Sequence, residues 1–315
     1  VTTRVLITID TEFIWRADRR WADWEANLAR SYDPAGVGVP YQLHMLARHG
    51  LKACFFVDPM PACVFGIEPV RRMVAPILAA GQEVQLHLHP NWLGARDGVT
   101  DSAFELTAWD ETGQRVLIEK ARDLLVEAGA PLPIAFRSGS YAANDATLRA
   151  LASLGIRYDS SHNGSHQPWP SAVTLPPGQI APIDYLGVVE VPITQIGDGD
   201  GLRNLQLCAV SADEMAAALD HASNAGHAAV TIVSHSFELA TRDGARVNST
   251  HKRRFDQLCA LLAARRDRLP TAFFRDLHYL ELGKDDRPLP ARALRTLARR
   301  TEQLWSNYVD ERRFP

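Results

Sequence analysis

No apolar run in this chain approaches the roughly 18 residues that a membrane-spanning helix requires, and its 315 residues include only four cysteines. The first lack excludes a helical span. Cys54, Cys63, Cys208 and Cys259 show no CxxC spacing, so neither a disulfide framework nor a cysteine-based zinc site is expected. Cys54 lies inside the apolar run KACFFV, where a thiol packs as a small hydrophobe. Free thiols and the lack of a basic-then-apolar leader point to a reducing, cytoplasmic compartment, with envelope or secretion as the alternative had a leader been removed. An excess of one charge is also missing: 34 basic against 37 acidic side chains give a formal net charge of −3, which offers nucleic acid no basic face. There is no internal repeat of roughly 20 to 50 residues and no low-complexity tract. The length allows one large domain or two small ones.

Seven short apolar or β-rich runs are present: residues 4–9, 52–57, 83–88, 134–137, 156–161, 188–193 and 228–234. Between several of them lie stretches with helical spacing, at Tyr41–His49, Val70–Ala80, Val116–Ala128, Asp145–Leu154 and Asp213–Ala225. Alternation of this kind predicts βα units built on a parallel sheet or barrel. Gly50, Gly81, Gly129, Gly155 and Gly226 each follow a predicted helix and precede a predicted strand, where helix C-caps belong. Residues 164–186, with five prolines, and residues 197–208 read as loops or irregular strands. The chain divides into a barrel over 1–283 and a helical extension over 284–315, whose Leu294, Leu297 and Leu304 spacing predicts docking on the barrel.

The polar residues that end these strands carry the chemistry. Asp10 and Glu12 follow the first run, Asp58 the second, His87 and His89 close the third, Arg137 the fourth and His235 the last. In parallel βα architectures the C-terminal strand ends share one rim, where active sites sit. Two histidines at i and i+2 of a strand project from one face. With a carboxylate they form a three-ligand set that leaves a coordination position open, the arrangement of catalytic zinc.

In order and rough spacing, the stretches LITIDTE, KACFFV, GQEVQLHLHPNW, FRSGSY, TIVSHSFEL and TAFFRDL resemble the polysaccharide deacetylases with NodB homology, the carbohydrate esterase family 4 type, over about residues 5–277. The resemblance implies a distorted (β/α) barrel of about seven strands and an enzyme that uses one divalent metal, commonly zinc. It would remove acetyl or other acyl groups from amino sugars or glycans, with a carbohydrate or nucleotide-sugar as substrate. It further implies Asp10 as general base, Arg137 as the residue orienting that base, His235 as general acid, and His87 and His89 as metal ligands. The metal carboxylate is Glu12 or, alternatively, Asp10. The family pattern has adjacent aspartates and histidines four apart; here the carboxylates and the histidines are each two apart, and Asn91, four after His87, offers a competing register.

Trp15, Trp92 and Trp169 lie near these motifs and offer flat faces to sugar rings, with core packing as the other role open to each. Tyr141 joins Trp15 and Trp92 as an expected substrate contact, and a backbone N–H near Ser140 or Tyr141 is the expected oxyanion donor. His162 and His166 read as loop residues, with a ligand role as the alternative. Two other functions fit the same residues: hydrolysis of a non-sugar C–N bond, as in a cyclic amide, and non-catalytic sugar binding.

Overall fold

The computed structural model describes residues 2–14, 23–93 and 105–312. The chain runs β1 (Arg4–Thr11), α1 (Trp24–Tyr32), α2 (Val39–His49), β2 (Ala53–Val57), α3 (Ala62–Phe65), α4 (Glu68–Ala79), β3 (Glu83–Leu88), α5 (Glu111–Glu127), β4 (Ala135–Ser138) and α6 (Asp145–Ser153). There follow β5 (Tyr158–Asp159), β6 (Ile183–Tyr185), β7 (Val188–Glu190), β8 (Gln195–Asp198), β9 (Gly201–Asn204), α7 (Ala212–Ala225), β10 (Ala229–His235), α8 (Ser249–Ala264) and α9 (Ala293–Val309).

Each of the seven apolar runs contains a strand, and these strands form the parallel part of one sheet, in the order β10-β1-β2-β3-β4-β5-β7, with β6 added antiparallel on β7. The sheet curls into a half-barrel. Its open side is spanned by irregular backbone: Thr194 N donates to Thr231 O at 3.3 Å and Leu207 N to Val233 O at 2.9 Å, so the free edge of β10 is covered without another ladder. The two segments read as loops or irregular strands contain β6 and the small β8–β9 hairpin.

Strand alternation sorts side chains between two cores. Val5, Ile7 and Ile9 of β1 pack outward in the large cluster shared with the helices, while Leu6 faces the lumen with Cys54, Phe56, Ala135, Tyr158 and Phe274. The period of two then carries Thr8, Asp10 and Glu12 along the lumen side toward the rim. On β3 the same face carries Glu83 and Gln85 at its base, the former accepting from Phe274 N at 2.7 Å and the latter from Ala135 N at 2.8 Å, and then His87.

Helix ends follow local chemistry. On α7, Ser211 and Glu214 form a reciprocal capping box, and Gly226 closes the helix in the left-handed region at φ 68°. Helix α5 begins at Glu111, ahead of its apolar stripe, because the Asp110 carboxylate caps Gly113 N at 2.8 Å. The buried face of helix α1 is partly polar: Asn27 and Ser31 on it bond the backbone of Ile14.

Helix α9 contacts the rest of the chain, but not through its leucines. Leu294, Leu297 and Leu304 are 82, 62 and 70% exposed. The docking face is polar: Arg299 bonds Glu214 at 3.1 Å and Asp198 at 2.7 Å, Glu302 pairs with Arg254 at 2.8 Å, and Asp310 accepts from Ser249 Oγ at 2.7 Å. The barrel surface under α9 presents charges and helix-end donors, so the face matching them wins. Replacing Arg299 by Ala leaves Glu214 buried without its cation. The expected loss is about 3 kcal/mol, the low end for a broken buried pair because Asp198 keeps Arg203; urea unfolding measures it, and a loss near zero would show that α9 is held by something else.

Candidate metal centre and active site

The register of the sheet assembles the site. Asp10 pairs with His235 of β10 on one side and Phe56 of β2 on the other, and His87 pairs with Arg137 of β4. Asp10, His87 and Arg137 are buried. Arg137 Nη1 bonds Asp10 Oδ1 at 2.6 Å and Thr8 Oγ1 at 2.9 Å; its Nε donates to Ser160 O at 3.0 Å and its Nη2 to Ser160 Oγ at 3.1 Å. The guanidinium also lies 4.4 Å from the Phe56 ring centroid. A guanidinium so enclosed is tolerable only because its donors are nearly all used.

Glu12, His87 and His89 bring one donor atom each to within 4.8 Å of one another, the one such three-donor group among the described residues. His87 Nδ1 donates to the Arg137 carbonyl at 2.8 Å, and Nε2 turns to Glu12, 3.2 Å away. A carbonyl holding the distal ring nitrogen is the usual support of a metal-bound histidine. His89 Nε2 lies against Glu12 Oε2 and has no partner in hydrogen-bond geometry. One carboxylate and two imidazoles, one with an orphaned nitrogen, fit a divalent cation. Asn91 stands outside the trio, as does Asp10, whose carboxylate is engaged by Arg137.

Burial alone would lower the His89 pKa, but the Glu12 carboxylate, aided by Asp58 and Glu105, outweighs it and raises the imidazole to about 9. For Glu12 burial pulls upward, and the two histidines overcome it to hold the carboxyl well below its ordinary range. Burial also raises Asp58, to about 6; its Oδ1 accepts from Met60 N at 3.0 Å and its Oδ2 has no partner.

On the other side of Asp10, His235 Nε2 stands 4.0 Å from Asp10 Oδ2. Sequence reasoning missed the residues behind this histidine. The Gln206 side-chain amide donates to His235 Nδ1 at 3.3 Å and to Glu238 Oε1 at 2.9 Å, and Glu238 Oε2 accepts from His235 N at 3.1 Å. With Nδ1 accepting, the ring proton sits on Nε2, toward the site. The placement of Glu238 in TIVSHSFEL was a visible signal; Gln206, in an irregular stretch, gave none. A cavity of about 520 Å³ opens beside His235, with Ile14, Gln206, Cys208, Phe237 and Glu238 in its wall; Glu12, His87 and His89 do not line it.

Tyr141 is buried against Ile193 and Val233, its hydroxyl is unpartnered, and its ring meets His166 edge-on at 5.3 Å. Ser140 and Tyr141 both occupy the left-handed region, at φ 54° and 59°, a strained pair directly after Arg137, Ser138 and Gly139. Trp92 is not a sugar platform. It is 1% exposed and wedged edge-on between Phe13 at 6.1 Å and Phe65 at 5.9 Å, where an indole buries more apolar area than a rim position would allow. Trp15 lies outside the described residues. Trp169 is 71% exposed on the proline-rich loop, and His162 is buried with Nε2 donating to Pro176 O at 3.1 Å.

Gly139 supplies room for the metal centre: a Cβ there would overlap the His89 ring. Gly139→Ala should therefore lower divalent-metal affinity about 10- to 100-fold, as displaced ligand supports do, with little change in far-UV circular dichroism; unchanged affinity would remove His89 from the site. The raised His89 sets a pH dependence. Without a cation, the imidazolium charge beside Glu12 stabilises the fold fully below about pH 6.5, and that contribution is lost as pH rises through about 9. A cation must displace the proton, so its apparent affinity should climb up to about tenfold per unit between roughly pH 6 and 8, with proton release seen by calorimetry in buffers of different ionisation enthalpy.

No family model and no curated protein matches the chain. Solved structures do. A Mycobacterium smegmatis protein provisionally described as a polysaccharide deacetylase superposes with a TM-score of 0.56 at 21% identity, over 91% of this chain and 95% of that one. A family 4 carbohydrate esterase from Streptomyces lividans, in complex with acetate, gives 0.46 at 14% identity, over 90% of this chain and 98% of that one. A 4-alpha-glucanotransferase from Thermococcus litoralis gives 0.50 at 10% identity, over 87% of this chain but 40% of that one. At these identities the likeness is one of fold, and the curled (β/α) half-barrel of this chain is the fold of the Mycobacterium smegmatis protein.

Proposed function

We propose that this chain is a metal-dependent hydrolase that removes an acetyl or other acyl group from the nitrogen of an amino sugar or glycan. One observation carries the reading: a Glu12, His87 and His89 donor set stands on one side of Asp10, and His235 stands 4.0 Å from Asp10 Oδ2 on the other. The fold likeness to a protein provisionally described as a polysaccharide deacetylase supports it. The Thermococcus litoralis likeness is a reminder that related barrels host other sugar chemistry, so the site must carry the assignment.

When bound by Glu12, His87 and His89, a divalent cation, zinc by the donor chemistry, supplies a Lewis acid that polarises the acyl carbonyl and makes water acidic enough to attack near neutral pH. The protein's own groups do the rest. Arg137 holds Asp10 Oδ1, which leaves Oδ2 to accept a proton from the attacking water. As the new C–O bond forms and the C–N bond breaks, His235 in its imidazolium form delivers the Nε2 proton to the departing nitrogen and ends neutral, and the proton held by Asp10 restores it, so a carboxylic acid and a free amine result. Glu238 and Gln206 keep that imidazole turned the right way. The cavity beside His235 then receives the amine-bearing half of the substrate, and its volume suits a small number of sugar units. The Tyr141 hydroxyl, buried without a partner, and the N–H groups near Ser140 are assigned as the donors to the acyl oxygen.

Two substitutions separate the carboxylates. Asp10→Asn should retain metal and lose turnover by about 10²–10⁴-fold, with some loss of stability because Arg137 remains buried beside a neutral partner; Glu12→Gln should lose the metal. Metal content by elemental analysis and acetate release from N-acetylglucosamine oligomers read the two effects. Metal loss in Asp10→Asn with a silent Glu12→Gln would invert the roles, and turnover of a cyclic amide with no acetate from any glycan would replace the substrate class.

A further inference from the structure

Helix α9 carries its apolar side outward. On a helix of 3.6 residues per turn, Arg299, Ser306 and Asp310 share the docked face, and Leu294, Leu297, Thr301 and Leu304 share the opposite one. Among the described residues twelve large apolar side chains stand exposed to solvent, and six of them, including Trp305 at 62% and Tyr308 at 57%, belong to this helix. A concentrated stripe of this kind marks an interaction surface, whereas scattered exposed leucines do not.

We propose that this face binds α9 of a second copy of the chain, antiparallel, about a two-fold axis at Thr301. The spacing is self-complementary about that residue. Leu294 stands seven positions before Thr301 and Tyr308 seven after, Leu297 four before and Trp305 four after, and Ala298 three before and Leu304 three after. An isologous pair therefore sets Leu294 on Tyr308, Leu297 on Trp305 and Leu304 on the small Ala298. Thr301, at the closest approach, already donates its hydroxyl to Leu297 O at 3.0 Å, so covering it strands no polar group. The antiparallel arrangement also brings the Arg292 end of one helix beside Glu311 at the other's C-terminal end, where charge and helix dipoles are complementary.

Complete cover of the six side chains removes on the order of 600 Å² per copy, with aromatic side chains taken at 150–250 Å² each, close to the roughly 800 Å² per partner of a stable interface. A lipid surface suits the helix less well. Interfacial helices present a broad free basic face, whereas of the three arginines of α9 Arg299 is paired to the barrel, Arg295 bonds Pro290 O at 3.2 Å and Arg300 alone stands exposed, and acidic Asp310 and Glu311 follow the helix end.

Sedimentation velocity of the full chain tests the proposal. A dimer is expected at about 10 µM, and Leu297→Glu or Leu304→Glu should weaken it about 100-fold or more by burying an unpaired carboxylate. Both sites are exposed in the single chain, so thermal melting should show folding intact. Oxidised Thr301→Cys should cross-link into a covalent dimer, while Arg300→Cys, turned off the face, should not. A monomer at about 100 µM, a dimer indifferent to Leu297→Glu, or cross-linking at Arg300→Cys alone overturns the proposal. A monomer that co-sediments with phosphatidylserine-containing vesicles assigns the face to lipid and overturns it too.

Discussion

The buried pair of Arg137 and Asp10 is the constraint on which the rest of the site depends. A guanidinium in the lumen of a half-barrel loses its hydration, and only a nearly complete set of acceptors offsets that cost. Those acceptors come from two strands or strand ends, Thr8 and Asp10 on β1 and Ser160 just after β5, around an arginine on β4. A one-residue slip of any of them would turn its side chain to the helices and leave the cation unpaired. The pair therefore fixes register while it holds one carboxylate oxygen still and frees the other.

The two carboxylates of the first strand end share a face and differ by their neighbours. Asp10 meets an arginine that cannot give up its charge, while Glu12 meets two imidazoles that can be neutral or protonated. The first environment suits a base that must be held in a fixed position. The second suits exchange of a proton for a cation. Asp58 lies near the same histidines with a protonation midpoint of about 6, the result of burial with only partial compensation, and it stands outside the donor trio.

Burial of polar groups and exposure of apolar ones recur, and both follow from what lies opposite. Trp92 is drawn inward by Phe13 and Phe65, which ties the chain after β1 to the chain after β3 and so steadies the two segments that bear Glu12 and His89. Helix α9 is drawn down by Glu214, Asp198, Ser249 and Arg254, all polar, which leaves its leucines outward. The same amphipathic pattern on a different neighbour would have packed the other way.

Strands, their alternation with helices and the rim of charged residues were legible in the sequence because period-two and period-3.6 burial are local consequences of backbone geometry. The placement of Asp10, Glu12, His87 and His89 on lumen faces followed from the same parity. Three kinds of fact were not legible. The polar faces of α1 and α9 defeat an apolar-stripe reading; Trp92 could equally have served core or sugar; and Gln206 reaches His235 from a stretch without periodicity. Each depends on a partner far away in the chain. The sequence by itself determined which residues could meet at the strand ends, since parity and parallel order are set locally. Only the tertiary structure decided which carboxylate takes the arginine, which takes the histidines, and which side of α9 faces the barrel, because those choices rest on desolvation balanced against particular long-range partners.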